Sequence, residues 1–396
     1  MQTLFIFVWW FACIFSTLVT TANISDRYII LLKPDVDIVQ HLKFVENLYT
    51  KIIADQPDKA YQGITHQYNI SDALLGYAGH FDNTTIARLK IHHDVATIES
   101  DKVFVAEASV PNAKIPPTYG LGLLSHRGLE NMEEYLYDKS AGKGTFGYVV
   151  DSGINIKHVE FEKRASKGYN ACKPATFEDD NGHGTAMAGL MGSKTFGVAK
   201  KTKLIAVKVL NKNEGTTAAL LDGYQWAVND IVKRKRQSKA VVNCSWYGAY
   251  SPALNKAVDV AWSQNVTTVV CSGNVGEDAD NYSPASAEGA ITVGATDWYR
   301  KRHPASNWGD PVDIFAAGVN IYSPAHVNKT AIAIGSGTSQ AAAYVAGLVL
   351  YLKGMKKSKL PDALATKAYV LELATKDVVK DPKGSHNRFV YNGSGK

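Results

Sequence analysis

The stretch AIGSGTSQAAAYVAGLVLYL, residues 333–352, sets a loop rich in glycine and hydroxyls directly against a long apolar run. Taken alone, Ser339 reads as an N-cap, a side-chain oxygen accepting an orphan backbone N–H. Outward from it, the apolar runs GYVV, KLIAVKVL, KAVVNCS, TTVVCSGN, AITVGA and VDIFAAG alternate with helix-like segments at about 217–235, 252–264 and 339–354. Continuous apolar strands separated by helices predict an α/β domain, a parallel sheet covered on both faces. Ligand sites in such sheets lie beyond the carboxyl ends of the strands. The residues just past each strand are therefore the informative ones.

Four chemically distinct groups stand there. VVDSGI puts Asp151 at the end of the first strand, where packing does not require a carboxylate. DDNGHGTAMAGLMGS, residues 179–193, sets His183 between glycines at the opening of a second apolar helix. TVVCSGN ends in Asn274, and Ser339 opens the helix of the first stretch. Acyl transfer uses this set. An imidazole removes the hydroxyl proton, a carboxylate orients the imidazole and stabilises its cation, and an amide donates to the oxyanion. No G-x-G-x-x-G follows the first strand, which disfavours a dinucleotide fold. There is no H-E-x-x-H and no C-x-x-C, so a zinc centre has no support and no metal ligand is assigned.

The chain order Asp, His, Ser separates this set from the α/β-hydrolase and chymotrypsin orders. With it, VVDSGI, NGHGTAMAG and GSGTSQAAAYVAG resemble the three signature blocks of the subtilases, most closely the proteinase K branch. GVAKKTKLIAVKVL, NYSPAS, ITVGATD and the terminal NRFVYNG are similar to that branch as well. The resemblance implies a subtilisin-like three-layer domain with a parallel central sheet. It implies a serine endopeptidase with Asp151, His183 and Ser339 catalytic, and Asn274 plus the Ser339 backbone N–H as oxyanion donors. It further implies that NEGTT around Gly215 and SWYGA, with Ser245, Trp246 and Tyr247, flank the substrate backbone. An inactive binding protein of the same fold is the alternative, and four filled catalytic positions argue against it.

Several positions depart from the family pattern. Ala186 and Met187 replace the usual His-Val, and Gln340 to Tyr344 replace Met-Ala-Thr-Pro-His. Trp246-Tyr247-Gly248 replaces Leu-Gly-Gly, adding bulk beside the specificity pocket, so substrate preference does not carry over from relatives. Ser272 replaces a usual Ala. Asp313 is similar to a calcium-site carboxylate whose partners in the proteinase K branch are backbone carbonyls. No cofactor is required by the resemblance, and a structural calcium stays open.

Residues 27–105 have another texture. RYIILLK reads as a strand, Ile38, Leu42, Val45, Leu48 and Ile52 recur at helical spacing, and GITHQY and LLGYAGHF are short strands. A second helix capped near Asn83 carries Ile86 and Leu89, and VATIESDKVFV is a final strand. The order β-α-β-β-α-β predicts a small ferredoxin-like α+β module. Its His41, His66, His80, His92 and His93 show no ligand spacing. Residues 23–110 hold 8 Lys/Arg against 12 Asp/Glu, a net of −4 in a chain of +6, so an acidic first part faces a basic remainder. The module resembles the subtilase inhibitor propeptide, which implies a self-processing zymogen. The cut is expected within about 105–113, before YGLGLL, and VPNAKIPP reads as a linker.

The first residues, MQTLFIFVWWFACIFSTLVTTA, are apolar from Leu4 to about Phe15 and then small and polar, as in a secretory signal peptide. The expected organisation is a signal peptide over 1–22, an inhibitor propeptide over 23–108 and a peptidase over 109–396. Export, to the medium or cell wall or to a vacuole, follows, with polypeptide substrates, the chain's own propeptide as inhibitor, no nucleic-acid partner and a monomer. KRKR at 233–236 closes a helix, where cations favour the dipole. Cys172, Cys244 and Cys271 remain after the leader, enough for one disulfide at most, its pairing open. Asn69, Asn83, Asn265 and Asn328 lie in formal glycosylation sequons.

Overall fold

A computed structural model describes residues 25–54, 62–106, 110–111, 118–355 and 360–396. The signal-peptide segment and most of the linker lie outside the described residues.

The N-terminal module is built from β1 (Arg27–Leu32), α1 (Ile38–Ala54), β2 (Gly63–Ile70), β3 (Leu74–His80), α2 (Asn83–Lys90) and β4 (Val95–Ser100). Its strands pair in the order β2-β3-β1-β4, all antiparallel, which is the predicted split βαβ arrangement. Ile30, Leu42, Val45, Ile86 and Leu89 fill the core between sheet and helices, as the helical spacing requires. The cap of α2 is Asp82 rather than Asn83; its carboxylate accepts the N–H groups of Thr84 and Thr85. The stretch expected as one final strand breaks in two. After β4 the chain turns at Asp101, and β5 (Val103–Val105) leaves this sheet altogether.

The larger part follows with β6 (Val110–Pro111), α3 (Tyr119–Ser125), β7 (Phe146–Asp151), β8 (Ala165–Asn170), α4 (His183–Gly192), β9 (Lys203–Lys208), β10 (Glu214–Thr216), α5 (Thr217–Lys233), β11 (Ala240–Cys244), β12 (Gly248–Ala249) and α6 (Pro252–Ser263). Then come β13 (Thr268–Cys271), β14 (Tyr282–Ser283), β15 (Ala290–Thr296), β16 (Ile314–Ala317), β17 (Ile321–Pro324), β18 (Ile332–Gly335), α7 (Thr338–Met355), α8 (Ala363–Leu373), β19 (Thr375–Lys376) and β20 (Arg388–Phe389). The central sheet runs β19-β20-β16-β15-β13-β11-β7-β9-β8, parallel throughout except at the β19 edge. One face buries α4 and α7 and the other buries α5 and α6, so the central strands are covered on both sides.

The module docks on the second face. Ile29, Leu31, Tyr68, Ile70 and Leu74 share a core cluster with α5 and α6. Gln225 and Asn229 of α5 hydrogen-bond the backbone of Gln67 and Asn69. The module's acids meet the larger part through backbone and hydroxyl donors rather than basic side chains. Asp101 accepts the Ala218 N–H at the start of α5 (3.1 Å), and Glu99 accepts the Ala253 N–H (3.0 Å) and the Ser251 hydroxyl (2.8 Å) at the start of α6. Helix N-termini favour anions. Lys233 closes α5, as expected of KRKR, while Arg234 pairs with Asp230 and Arg236 lies 3.8 Å over the Phe146 ring.

The histidines of the module correct the sequence reading. His41 from α1 and His92 and Asp94 from the loop before β4 converge, with ligand atoms within 4.8 Å of one another. Sequence spacing hides this because His41 lies on a different element. The groups also satisfy each other: His41 Nδ1 pairs with Asp94 (2.9 Å), its Nε2 with the Tyr77 hydroxyl (3.2 Å), and His92 Nδ1 accepts the Asp94 N–H (3.3 Å).

Cys172, Cys244 and Cys271 are all free thiols, so no disulfide joins them. Asn69, Asn83, Asn265 and Asn328 are exposed. Among the described residues no helix is long and apolar enough to cross a membrane.

Candidate active site

Asp151 ends β7 and His183 opens α4, and the fold sets them side by side with both side chains fully buried. His183 Nδ1 lies 2.8 and 3.0 Å from the two oxygens of Asp151. That contact fixes the ring's orientation and leaves Nε2 as the outward nitrogen. A Cβ on Gly184 would fall 2.1 Å from the Gly153 carbonyl, so glycine after the histidine is what lets α4 begin against the Asp151 loop.

Two buried charges that sequence reading passed over hold this pair. Asp179 accepts the Gly182 N–H (2.8 Å), the Thr185 N–H (2.9 Å) and the Ser152 hydroxyl (2.8 Å). Ser152 in turn accepts the Gly184 N–H at 2.9 Å. Lys208 is fully buried, its ammonium on the Ser152 carbonyl (2.7 Å) and the Asp180 carboxylate (3.0 Å). The signal for Asp179 was its place three residues before Gly182, a loop-capping position.

Ser339 lies in the first turn of α7. Its hydroxyl donates to the Ser245 carbonyl at 3.0 Å, and the Ser245 hydroxyl donates to the Ser339 carbonyl at 3.1 Å. The Ser339 N–H belongs to the first four of the helix, which lack intrahelical acceptors. Asn274 follows β13, and its side-chain oxygen takes the Thr338 N–H (2.8 Å) and hydroxyl (2.9 Å). These bonds use the amide oxygen as acceptor and fix the side chain's orientation. Nδ2 is buried and has no partner among the described residues. Burial pushes the Cys271 thiol, at the end of β13, up to about 12. It is no nucleophile at neutral pH.

The predicted flanking segments hold a strand of the chain itself. β5 pairs antiparallel with β10, Phe104 opposite Gly215, and on its other side Val105 exchanges both backbone bonds with Tyr247 (3.1 and 3.2 Å). The Ala106 N–H reaches the Asn213 carbonyl at 3.0 Å. Beyond 107–109, β6 runs antiparallel to Ala333 and Ile334 of β18, the strand that leads to Ser339. Phe104 is fully buried edge-on against Trp246, with ring centroids 5.7 Å apart. A Cβ on Gly248 would sit 2.6 Å from the Phe104 ring. Trp246 itself turns inward, its indole N–H on the Val150 carbonyl at 2.9 Å. Tyr247 is buried edge-on to Tyr282 at 6.1 Å, and its ring would meet a Cβ on Gly273 at 3.3 Å. The bulk expected from Tyr247 therefore fills space between Gly273 and Tyr282.

Comparison with known proteins agrees with this architecture. Residues 142–391 match the subtilase family and residues 27–105 match the peptidase inhibitor I9 family. The chain is 43% identical over 377 residues to alkaline protease 1 of Aspergillus clavatus, covering 94% of this chain and 92% of that one. It is 42% identical over 377 residues to subtilisin-like protease 1 of Pseudogymnoascus destructans, covering 94% and 90%. Among solved structures it resembles a cold-adapted subtilisin-like serine proteinase at 33% identity and a TM-score of 0.64, covering 69% of this chain and 97% of that one. The chain belongs to the subtilase family. It is a subtilisin-like serine endopeptidase made with an inhibitor domain in front of it.

Proposed function

We propose that Asp151, His183 and Ser339 are the catalytic triad of this peptidase. The buried His183–Asp151 contact, 2.8 Å at its shorter oxygen, carries the reading. His183 Nε2 takes the Ser339 proton as the hydroxyl attacks a peptide carbonyl, and Asp151 stabilises the imidazolium that forms. The tetrahedral oxyanion receives hydrogen bonds from Asn274 Nδ2 and the Ser339 N–H. His183 then protonates the leaving amine, and water releases the acyl group by the same path. Loss of one such side-chain donor costs about 10²–10³ in turnover, a figure measured in subtilisin, a relative.

Gly215, Ser245, Trp246 and Tyr247 belong to the substrate-binding segments in this reading. Gly215 and Tyr247 supply backbone edges to an extended peptide, as strand addition requires. Ser245 seats the nucleophile, and Trp246 receives an aromatic side chain, as it receives Phe104. The pairing of β5 with β10 and of β6 with β18, before and after residues 107–109, supports a self-processing bond between Ala106 and Val110, inside the expected window. The inhibitor module then spans 23–108 and the peptidase 109–396, after a signal peptide over 1–22 that sends a monomer into the secretory route. The apolar N-terminal stretch supports export.

A fluorophosphonate probe tests the assignment. Wild-type protein takes the label on Ser339 and shows a new N-terminus within 107–110. Ser339→Ala takes none and stays full length. Labelling that survives Ser339→Ala would overturn the triad.

A further inference from the structure

The family resemblance implies a calcium carboxylate at Asp313, and the surroundings of Asp313 test whether an ion fits. The residue lies at the entry to β16 and is 8% exposed. Oδ2 accepts the Thr292 N–H at 3.0 Å, while the Asp313 N–H donates to the Thr292 carbonyl at 3.0 Å. Facing the same oxygen is the ammonium of Lys367, carried across from α8. Its Nζ lies 2.9 Å from Asp313 Oδ2, 2.6 Å from the Ala290 carbonyl and 3.5 Å from the Glu288 carbonyl.

One carboxylate and two backbone carbonyls aimed at a single point make a hard-oxygen set of the type calcium takes. An ammonium has three N–H donors and no acceptor, and here each donor direction has an oxygen. A calcium ion bonds its oxygens at about 2.3–2.6 Å. Sharing Asp313 Oδ2 and the Ala290 carbonyl, it would overlap the Lys367 nitrogen. The residues present therefore do not fit a calcium ion here while Lys367 holds its place. Charge points the same way. The buried carboxylate is neutralised by one tethered positive charge, and burial raises the Asp313 carboxyl while Lys367 opposes that rise.

We infer that Asp313 and the Ala290 and Glu288 carbonyls form a cation site whose cation is the chain's own Lys367 ammonium, which pins α8 to β15 and β16 without a metal. Tethering makes the site independent of dissolved calcium. Deleting the ammonium leaves the oxygens facing a gap of ionic size and opens the site to Ca²⁺.

The test uses the full-length chain carrying Ser339→Ala, so that self-digestion does not intrude. Isothermal titration with CaCl₂ and thermal unfolding in EDTA or in CaCl₂ are run on this parent, on Lys367→Ala and on Lys367→Met. The expected result is that Lys367→Ala binds one more Ca²⁺ than the parent, with a Kd on the order of 10⁻⁴–10⁻³ M, the range of weak extracellular sites. Its unfolding temperature falls in EDTA and recovers in CaCl₂. Adding Asp313→Asn to Lys367→Ala removes both the extra site and the recovery. Lys367→Met, which fills the gap with an uncharged chain, loses stability and gains no calcium site. Equal calcium stoichiometry in parent and Lys367→Ala overturns the inference. So does a parent whose stability rises in CaCl₂ and loses that rise on Asp313→Asn, since the ion would then bind beside the lysine.

Discussion

The two faces of the central sheet use the same device to opposite ends. On one face α4 and α7 start at His183 and Thr338–Ser339, and their first residues carry reactive groups. On the other face α5 and α6 start at Thr217 and Pro252, and their free N–H groups take Asp101 and Glu99 of the N-terminal module. A helix N-terminus favours negative charge in both cases. On the first face, in the proposed mechanism, the charge develops during the reaction, and on the second it is brought by the carboxylates of the inhibitor module. The burial patterns differ accordingly. Every residue of α4, and of α7 as far as Lys353, is buried, whereas α5 and α6 keep one polar side. The fully buried pair suits the rigid geometry that the proposed mechanism needs, and the partly buried pair offers the polar side that meets the inhibitor module.

The sharpest break in this comparison comes at the first face. Asp151→Asn should leave the fold intact and lower turnover by about 10⁴, because the imidazole then loses both its orienting partner and the stabilisation of its cation. Steady-state kinetics beside circular dichroism measure this, and near-normal turnover would remove Asp151 from the mechanism.

At the second face the expected effect is smaller and falls on activation. Glu99→Ala leaves the Ala253 N–H, the Ser251 hydroxyl and the Lys102 ammonium (3.2 Å from Glu99) without their carboxylate. A lost charge-assisted network of this kind costs about 2–3 kcal/mol. The processed inhibitor should release roughly 30–160 times sooner, while turnover by the fully activated enzyme is unchanged. The lag before activity in intact preparations reads this out. An unchanged lag would mean the apolar contact of Ile29, Leu31 and Phe104 alone sets the hold.

The smallest effect concerns the rigidity of the first face. Lys353 is fully buried near the end of α7, its ammonium on the Gln237 carbonyl at 2.9 Å, and burial pushes its pKa down to about 8. The folded state then releases this proton before the unfolded chain does. Stability gains from Lys353 as pH rises from about 8 towards the ordinary lysine value near ~10.5, and loses below that window. Lys353→Met should flatten this slope and add on the order of 1–2 kcal/mol at pH 7, the lost hydrogen bond offsetting part of the gain. Denaturant unfolding between pH 7 and 10.5 checks it. A slope that persists in the variant would assign the pH dependence to other groups, Lys200 first, which burial also pushes down to about 8.

Periodicity placed the major helices within a residue or two, because α5, α6 and α7 carry their own caps and breaks; Ser251 and Pro252 open α6 as a cap and a first helical residue should. The candidate residues were singled out for a similar reason, since Asp151, His183, Asn274 and Ser339 sit at strand ends and helix starts, where parallel sheets place their ligand sites. What escaped lay in contacts between distant segments. The break at Asp101 follows from the α5 N-terminus that receives its carboxylate. Asp179 and Lys208 look like surface charges until Ser152 is seen between them. Trp246 turns its indole N–H to the Val150 carbonyl and meets the Phe104 ring edge-on.

Residue order and local spacing were enough for the two-part architecture and the sheet type, because hydrophobic period and chain punctuation act over a few residues. Only the packed fold decided that Val105 lies as a strand against Tyr247, and that the cation beside Asp313 is Lys367. Those choices depend on which backbone oxygens and buried charges meet across 50 residues or more, and no local pattern records a partner brought from elsewhere in the chain.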